Sequence, residues 1–303
     1  MKKKLLLIGK GFCMGAADVV PGVSGGTMAF ILGIYTELID AIKSFDSTWL
    51  KSVFRFNVKQ AISRPHFGFL IPLGIGVLGA LLFFTRVVSI PELLRSEPEL
   101  VYGLFFGLIT GSILLLLRHM QGIKVIHWFF FLSGTVVGFI IFNLVPVTTP
   151  NAAWFIFLSG ALAICAMILP GISGSFILLI LNKYTYIFDA IGYFRFSVLV
   201  PFALGAATGL VLFSRVLSWL LHHYYRQTIM MIGGILAASL WVIWPFQHRV
   251  YETVSGSEKL ISSTPVFPSS WNETALAAII MIVIGFAVVT ALDNLANRKK
   301  QIM

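Results

Sequence analysis

Along the chain, long apolar runs alternate with short polar breaks. Six runs approach the ~20 residues that a hydrocarbon core of ~30 Å requires of a spanning helix: residues 69–90, 101–117, 125–145, 198–221, 228–246 and 275–292. Four other apolar pieces, 5–20, 24–42, 152–169 and 173–191, are shorter or broken. They form two pairs, and each pair is split by one phrase: VPGVSGGT from Val20 and LPGISGS from Leu169. Proline followed by glycine and serine frees backbone groups inside a bilayer, which is tolerated only where protein or a wet cavity satisfies them again. The pattern predicts two re-entrant helical hairpins, 5–42 and 152–191. Two kinked spanning helices are the alternative.

The phrase belongs to an internal repeat. Pro21, Gly22, Ser24 and Gly25 match Pro170, Gly171, Ser173 and Gly174, and Tyr35, Thr36 and Asp40 match Tyr184, Thr185 and Asp189. The following span repeats as well, PLGIGVLGALLFFTRVVS from Pro72 against PFALGAATGLVLFSRVLS from Pro201, which sets Arg86 opposite Arg215. Each half, 1–150 and 151–303, is one hairpin followed by three spans. An odd number of crossings makes the second half enter from the opposite face, so the expected fold is an all-α polytopic membrane protein of two inverted repeats, as in many secondary transporters.

Composition agrees. The chain is 58% hydrophobic and only 11% charged, with a mean hydropathy of +0.92, whereas soluble domains carry about 25% charged residues. The net charge of +10 is loop charge. With the N-terminus inside, 14 basic residues fall in predicted cytoplasmic segments, among them Lys2, Lys43, Lys51, Arg55, Lys59, Arg64 and Arg226. Four fall outside: Arg95, Arg195, Arg249 and Lys259. This bias places both termini in the cytoplasm and makes the polar stretch 248–273 a long outer loop. No basic stripe with interleaved aromatics points to nucleic acid. The start imitates a signal peptide, but Lys10 and Gly11 interrupt its apolar run and it belongs to the repeat, so it is read as mature sequence. Cys13 and Cys165 lie in apolar segments and read as small buried hydrophobes. The six histidines show no metal-ligand spacing, and neither a metal nor a cofactor is expected.

The phrases carry the candidate chemistry. A helix that starts in a membrane presents unpaired N–H groups and the positive end of its dipole, which favour anions. Gly25, Gly26 and Gly174 let the backbone come close; Ser24, Thr27, Ser173 and Ser175 add hydroxyls. Inverted symmetry would bring the two tips together as one site for phosphate or carboxylate. Tight helix packing by small residues is the competing explanation. Arg86 and Arg215 either fork onto a phosphate or snorkel from their span ends. Asp18, matched by Met167, is the acid beside this site and could pair with an arginine or carry a coupling proton. Lys183, where the first repeat has Ile34, could snorkel outward or hold a phosphate.

GAADVVPGVSGGTMAFILGIY followed by LPGISGS resembles the bacterial polyprenyl-phosphate transporter family, over nearly the whole chain. The resemblance implies return of undecaprenyl phosphate, the lipid carrier of cell-wall and surface polysaccharides, from the outer to the cytoplasmic leaflet of the bacterial inner membrane. The partners are then the polyprenyl-phosphate lipid and the membrane lipids; an assembly of several copies stays open. The family's motif residues fall on Asp18, Pro21, Gly22, Ser24, Gly25, Gly26 and Thr27, and on Pro170, Gly171, Ser173 and Gly174. Undecaprenyl-pyrophosphate phosphatases carry a similar phrase, followed by an arginine that is replaced here by Gly25 and Gly174. Their paired glutamates are missing too, since Glu37 is the only glutamate in the predicted membrane segments. Hydrolysis needs an activated nucleophile, and none can be assembled. An anion channel would use the same helix ends but needs an open wet pore.

Overall fold

The computed structural model describes residues 2–20, 23–87, 90–120, 122–144, 149–254, 257–268 and 271–301. The helices are α1 (Lys2–Asp18), α2 (Gly25–Ile31), α3 (Tyr35–Lys43), α4 (Ser47–Phe54), α5 (Val58–Ser63), α6 (Phe67–Arg86), α7 (Ile90–Ser96), α8 (Pro98–His119), α9 (Val125–Phe142), α10 (Ala153–Ile168), α11 (Gly174–Ile180), α12 (Tyr184–Gly192), α13 (Phe196–His223), α14 (Tyr225–Val242) and α15 (Glu273–Gln301). Strands β1 (Gln247–Val254) and β2 (Ser257–Pro265) form an antiparallel pair before α15. This pair departs from the all-α expectation. Val250, Tyr251, Thr253 and Val254 suit a pleated strand, and the polar loop expected over 248–273 uses them to pair with itself.

Among the described residues, stretches of five helices are long and apolar enough to cross a membrane: Phe67–Phe84, Pro98–His119, Val125–Phe142, Phe196–His223 and Glu273–Ala291. The chain is therefore a membrane protein. The sixth expected span is α14, whose 18 residues begin Tyr-Arg-Gln and leave a shorter apolar stretch.

Two compact units form. One comprises Met1–Val88 and Asn143–Ile232, the other Ser89–Phe142 and Gly233–Met303. Both halves of the sequence contribute to each unit. The first unit holds both hairpins with α6 and α13; the second holds α7, α8, α9, most of α14, the strands and α15.

Within the first unit, each phrase joins two legs that run back along one another. The Asp18 carboxylate meets Gly25 at the tip, while Lys10 Nζ, eight residues earlier on α1, donates to Leu32 O beyond the end of α2 at 2.8 Å. In the second hairpin Gly174 lies against Ala163 and Met167, while Lys183 Nζ reaches Thr149 O and Asn151 Oδ1 at 2.9 and 2.7 Å. Lys183 is thus buried, 2% exposed, and holds the base of its hairpin rather than snorkelling outward. The second legs, expected as single helices, are broken. Gly33 at φ +66° ends α2 and Asn182 at φ +52° ends α11. Each sits in a Schellman arrangement, with Ile34 N–H on Ala29 O and Lys183 N–H on Leu178 O.

The repeat in sequence is also a repeat in contacts. On α1 and α6, Gly11 abuts the Leu73 carbonyl and Gly76 abuts that of Ile8; at the matching positions of α10 and α13, Gly160 abuts Phe202 and Gly205 abuts Phe157. In the second unit, Gly107 of α8 packs on Ile282 of α15, and Gly234 of α14 packs on Phe131 of α9. These glycines let helix backbones touch, as small residues do in membranes. Matching positions are 149 residues apart across the hairpins (Pro21 with Pro170) but 129 apart across the next spans (Pro72 with Pro201). The first repeat therefore carries 20 extra residues between Phe45 and Phe67, and these form α4 and α5. Arg64 forks onto Asp46, with Nε–H on Oδ1 at 2.9 Å, and closes their base. That guanidinium, helped by the Trp49 N–H, holds the Asp46 carboxyl down at about 2. The pair is complete above the ordinary value of 3.8 and is lost as pH falls toward 2.

Helix α3 reaches three partners. Phe45, just past its end, stacks edge-on with Phe67 at the start of α6, centroids 6.0 Å apart. Asp40 Oδ1 accepts from Ser218 Oγ at 2.8 Å, and His222 Nε2 lies 3.6 Å from Asp40 Oδ2, near the end of α13. Ser218 in turn accepts from Lys43 Nζ at 3.1 Å.

The packing makes neighbouring glycines respond differently. A methyl on Gly76 would overlap the Ile8 carbonyl oxygen and lie 2.7 Å from Phe12 N, whereas one on Gly74 meets nothing within 4 Å. Gly76→Ala should destabilise the detergent-solubilised protein by about 1–3 kcal/mol. Gly74→Ala should be neutral or stabilising by up to ~1 kcal/mol. Thermal unfolding of the two variants side by side measures both.

Candidate functional site

The first phrase begins where α1 stops. Val20 N–H bonds Ala17 O at 3.0 Å and Val23 N–H bonds Val20 O at 3.2 Å, so the chain turns sharply before Ser24. Ser24 is extended, φ −132° and ψ 148°, and its Oγ accepts from Thr27 N–H at 3.3 Å as the N-cap of α2. Asp18 Oδ1 accepts from Gly25 N–H at 2.6 Å. A methyl on Gly25 would sit 2.6 Å from Asp18 Oδ2, so glycine is what lets the carboxylate reach the helix end. Asp18 is itself exposed. An anion, supplied by the chain, already occupies this end.

The second phrase is built differently. Gly171 adopts φ +92°, a conformation that favours glycine. Ser173 is the N-cap of α11 but makes no capping bond with its side chain. Its Oγ lies 2.7 Å from Ser175 Oγ, with Ser173 half-buried and Ser175 exposed. Met167 takes the place of Asp18, its Cβ 3.3 Å from where a methyl on Gly174 would lie. Thr27 is matched by Phe176. One tip is thus closed by its own polar groups, and the other pairs two hydroxyls with one another, that of Ser175 being exposed.

The two tips touch. Gly171 N–H donates to Thr27 Oγ1 at 2.8 Å, and Tyr35 O–H donates to Ile168 O at 3.2 Å. A methyl on Gly26 would come within 3.0 Å of Ile168 O and 3.1 Å of Met167 O. Thr27, Ser24 and Tyr35 are 0, 2 and 3% exposed. The structure therefore assembles Asp18, Ser24, Gly25, Gly26, Thr27, Gly171, Ser173, Gly174 and Ser175 in one region of the first unit. Arg215 is not drawn in: its Nη1 donates to Val211 O of its own helix at 2.9 Å. Pro21, Gly22 and the Arg86 side chain lie outside the described residues. Tyr35 and Lys10 also join the hairpins or their legs, and sequence reasoning did not single them out as site residues. The signal for Tyr35 was its match to Tyr184 just beyond each phrase; Lys10, matched by Ser159, had none.

The sequence that carries the two phrases matches known proteins. The sequence model of the VCA0040-like family, described as undecaprenyl phosphate translocase-like, matches residues 14–261, both phrases included. The chain belongs to this family. A protein of Vibrio cholerae serotype O1 named polyprenyl-phosphate transporter is 34% identical over 302 residues, covering 95% of this chain and 96% of its own length. A protein of the same name from Staphylococcus aureus is 31% identical over 262 residues, covering 80% and 87%. No solved structure matches the chain.

The bond between the tips gives a sharp test for a member of this family. Thr27→Val keeps the shape but strands the buried Gly171 N–H, which should cost about 1–3 kcal/mol. Thr27→Ser keeps the acceptor and should cost less than ~1 kcal/mol. Denaturation midpoints in one detergent rank the three proteins, and equal loss from both variants would show that the hydroxyl does not hold the tips.

Proposed function

We propose that the protein is a transporter that returns undecaprenyl phosphate from the outer to the cytoplasmic leaflet of the bacterial inner membrane, for cell-wall and surface polysaccharide synthesis. The observation that carries this reading is the contact of the two phrases in a chain of this family: hydroxyls and backbone N–H groups from both repeats converge in one region. Both α2 and α11 have only seven residues, so their dipoles are weak and the local N–H and hydroxyl donors do most of the binding. The phosphate contacts Ser173, Ser175, Gly171 and Gly174 on the second tip and reaches Pro21, Gly22, Ser24, Gly25, Gly26 and Thr27 of the other. On this reading Arg86 and Arg215 add charged donors to the phosphate.

Several contacts support inverted repeats of re-entrant hairpins. Helix α3 touches the start of α6 and the end of α13, as expected if these matched helices run in opposite directions. Within the second unit, the α8–α15 and α9–α14 glycine contacts join helices that match one another in sequence, as a repeat would have it. Such a pair exposes its shared site to each leaflet in turn as one half rocks against the other. Both termini are cytoplasmic on the loop charges.

Inward movement of one negative charge against an inside-negative potential costs about 2.3 kcal/mol per 100 mV. A co-transported proton offsets it. Asp18 carries that proton, because phosphate can take the α2 end only when the carboxylate gives up Gly25 N–H. The reading involves no hydrolysis.

Purified protein in vesicles, supplied with a fluorescent polyprenyl phosphate and an impermeant quencher, tests this. Protein should accelerate leaflet exchange, and the Ser173→Ala/Ser175→Ala double variant should slow it about tenfold or more, the worth of one or two hydrogen bonds to a charged group. Asp18→Asn should still exchange lipid but no longer respond to an imposed pH gradient. Release of phosphate from the pyrophosphate lipid would instead identify an enzyme, and a gradient response unchanged in Asp18→Asn would remove Asp18 from coupling.

A further inference from the structure

The extra segment of the first repeat is a strange object for a membrane protein to keep. It is a closed unit: Arg64 pairs with Asp46 across its base, Trp49 Nε1–H donates to Ala61 O at 3.1 Å between α4 and α5, and Asp46 and Asn57 cap the two helices through Trp49 N–H and Gln60 N–H. Its tip contradicts its economy. Phe54, Phe56, Val58 and Ile62 are 74, 90, 63 and 62% exposed, although neither helix is long enough to span. Phe56 occupies the left-handed position of the Schellman arrangement that ends α4, at φ +54°, with Phe56 N–H on Val53 O and Asn57 N–H on Ser52 O. That position favours glycine. A phenylalanine there strains the backbone and contributes almost no packing in return.

Basic residues are interleaved with this tip along the chain. Lys51, Arg55 and Lys59 are all exposed, and among the described residues none has an acidic partner. The segment's one acid, Asp46, is already engaged by Arg64. Apolar side chains interleaved with unpaired cations match one surface, the boundary of a bilayer with anionic headgroups: rings and aliphatic groups enter below the phosphates and cations remain among them. We propose that α4 and α5 form a membrane-surface paddle that docks on anionic phospholipid. Phe54, Phe56, Val58 and Ile62 are its inserted tip, and Lys51, Arg55 and Lys59 are its headgroup contacts. The second repeat passes directly from Phe194 through Arg195 to Phe196 and has no such paddle, so the protein grips one leaflet by a device that the other lacks.

The test uses the full chain with Cys13→Ala and Cys165→Ala, carrying a spin label at Val58→Cys, in nanodiscs of phosphatidylcholine with or without phosphatidylglycerol. With the anionic lipid present, collisions with oxygen should rise and those with a water-soluble nickel reagent should fall. High salt should reverse the change. Replacing Lys51, Arg55 and Lys59 by glutamine should shift the docked population about fivefold per residue, the worth of one basic group near an anionic surface. Phe56→Gly separates docking from folding: it should leave thermal stability equal or higher while weakening insertion. A label equally open to water in both lipids would overturn the proposal. So would a label shielded from oxygen and nickel alike, which would mean that protein covers the tip.

Discussion

A helix broken inside a membrane must find partners for the backbone groups that it frees, because the hydrocarbon offers none. Here the partners come from the other break. Gly171 N–H is held by Thr27 Oγ1, and Ile168 O by the Tyr35 hydroxyl. Neither phrase satisfies itself completely, which explains why the chain uses two and why their tips lie in one compact unit. The glycines that bring α1 onto α6 and α10 onto α13 serve this end, since they fix the first legs whose last turns carry the breaks.

The two tips share a plan and differ in chemistry. Asp18 and Thr27 give an oxygen to backbone N–H groups of the chain, Gly25 and Gly171, while Met167 and Phe176 at the matching positions have no side-chain oxygen. Among the described residues the Ser173 and Ser175 side chains hydrogen-bond one another, which is why they are proposed to hold the phosphate.

Much of this was legible in the sequence because periodicity and repetition report on solvent and on pairing. Five of the six expected spans and the meeting of the phrases follow from apolar run lengths and matched positions. Other features escaped for local reasons. Gly33 and Asn182 stop their helices with single left-handed residues inside apolar runs, a signal that hydropathy hides. The β1–β2 pair sits in a stretch whose Val, Tyr and Thr content was outweighed by its polar residues. Arg215 bonds its own helix four residues back, and nothing in composition or spacing distinguishes that from a reach toward phosphate. The segment α4–α5 was visible only as a change of offset between the repeats.

The central claim, that matched tips enter from opposite faces to share one site, is tested most directly by sidedness at equivalent positions. Ser44 and Tyr193 are 149 residues apart and follow α3 and α12 in the two repeats. Single cysteines there, in a chain lacking Cys13 and Cys165, can be labelled with an impermeant thiol reagent in intact cells and in inverted vesicles. Ser44→Cys should react only from the cytoplasmic side and Tyr193→Cys only from outside. Reaction of both from the same side would contradict the inverted arrangement, and with it a site shared between the leaflets.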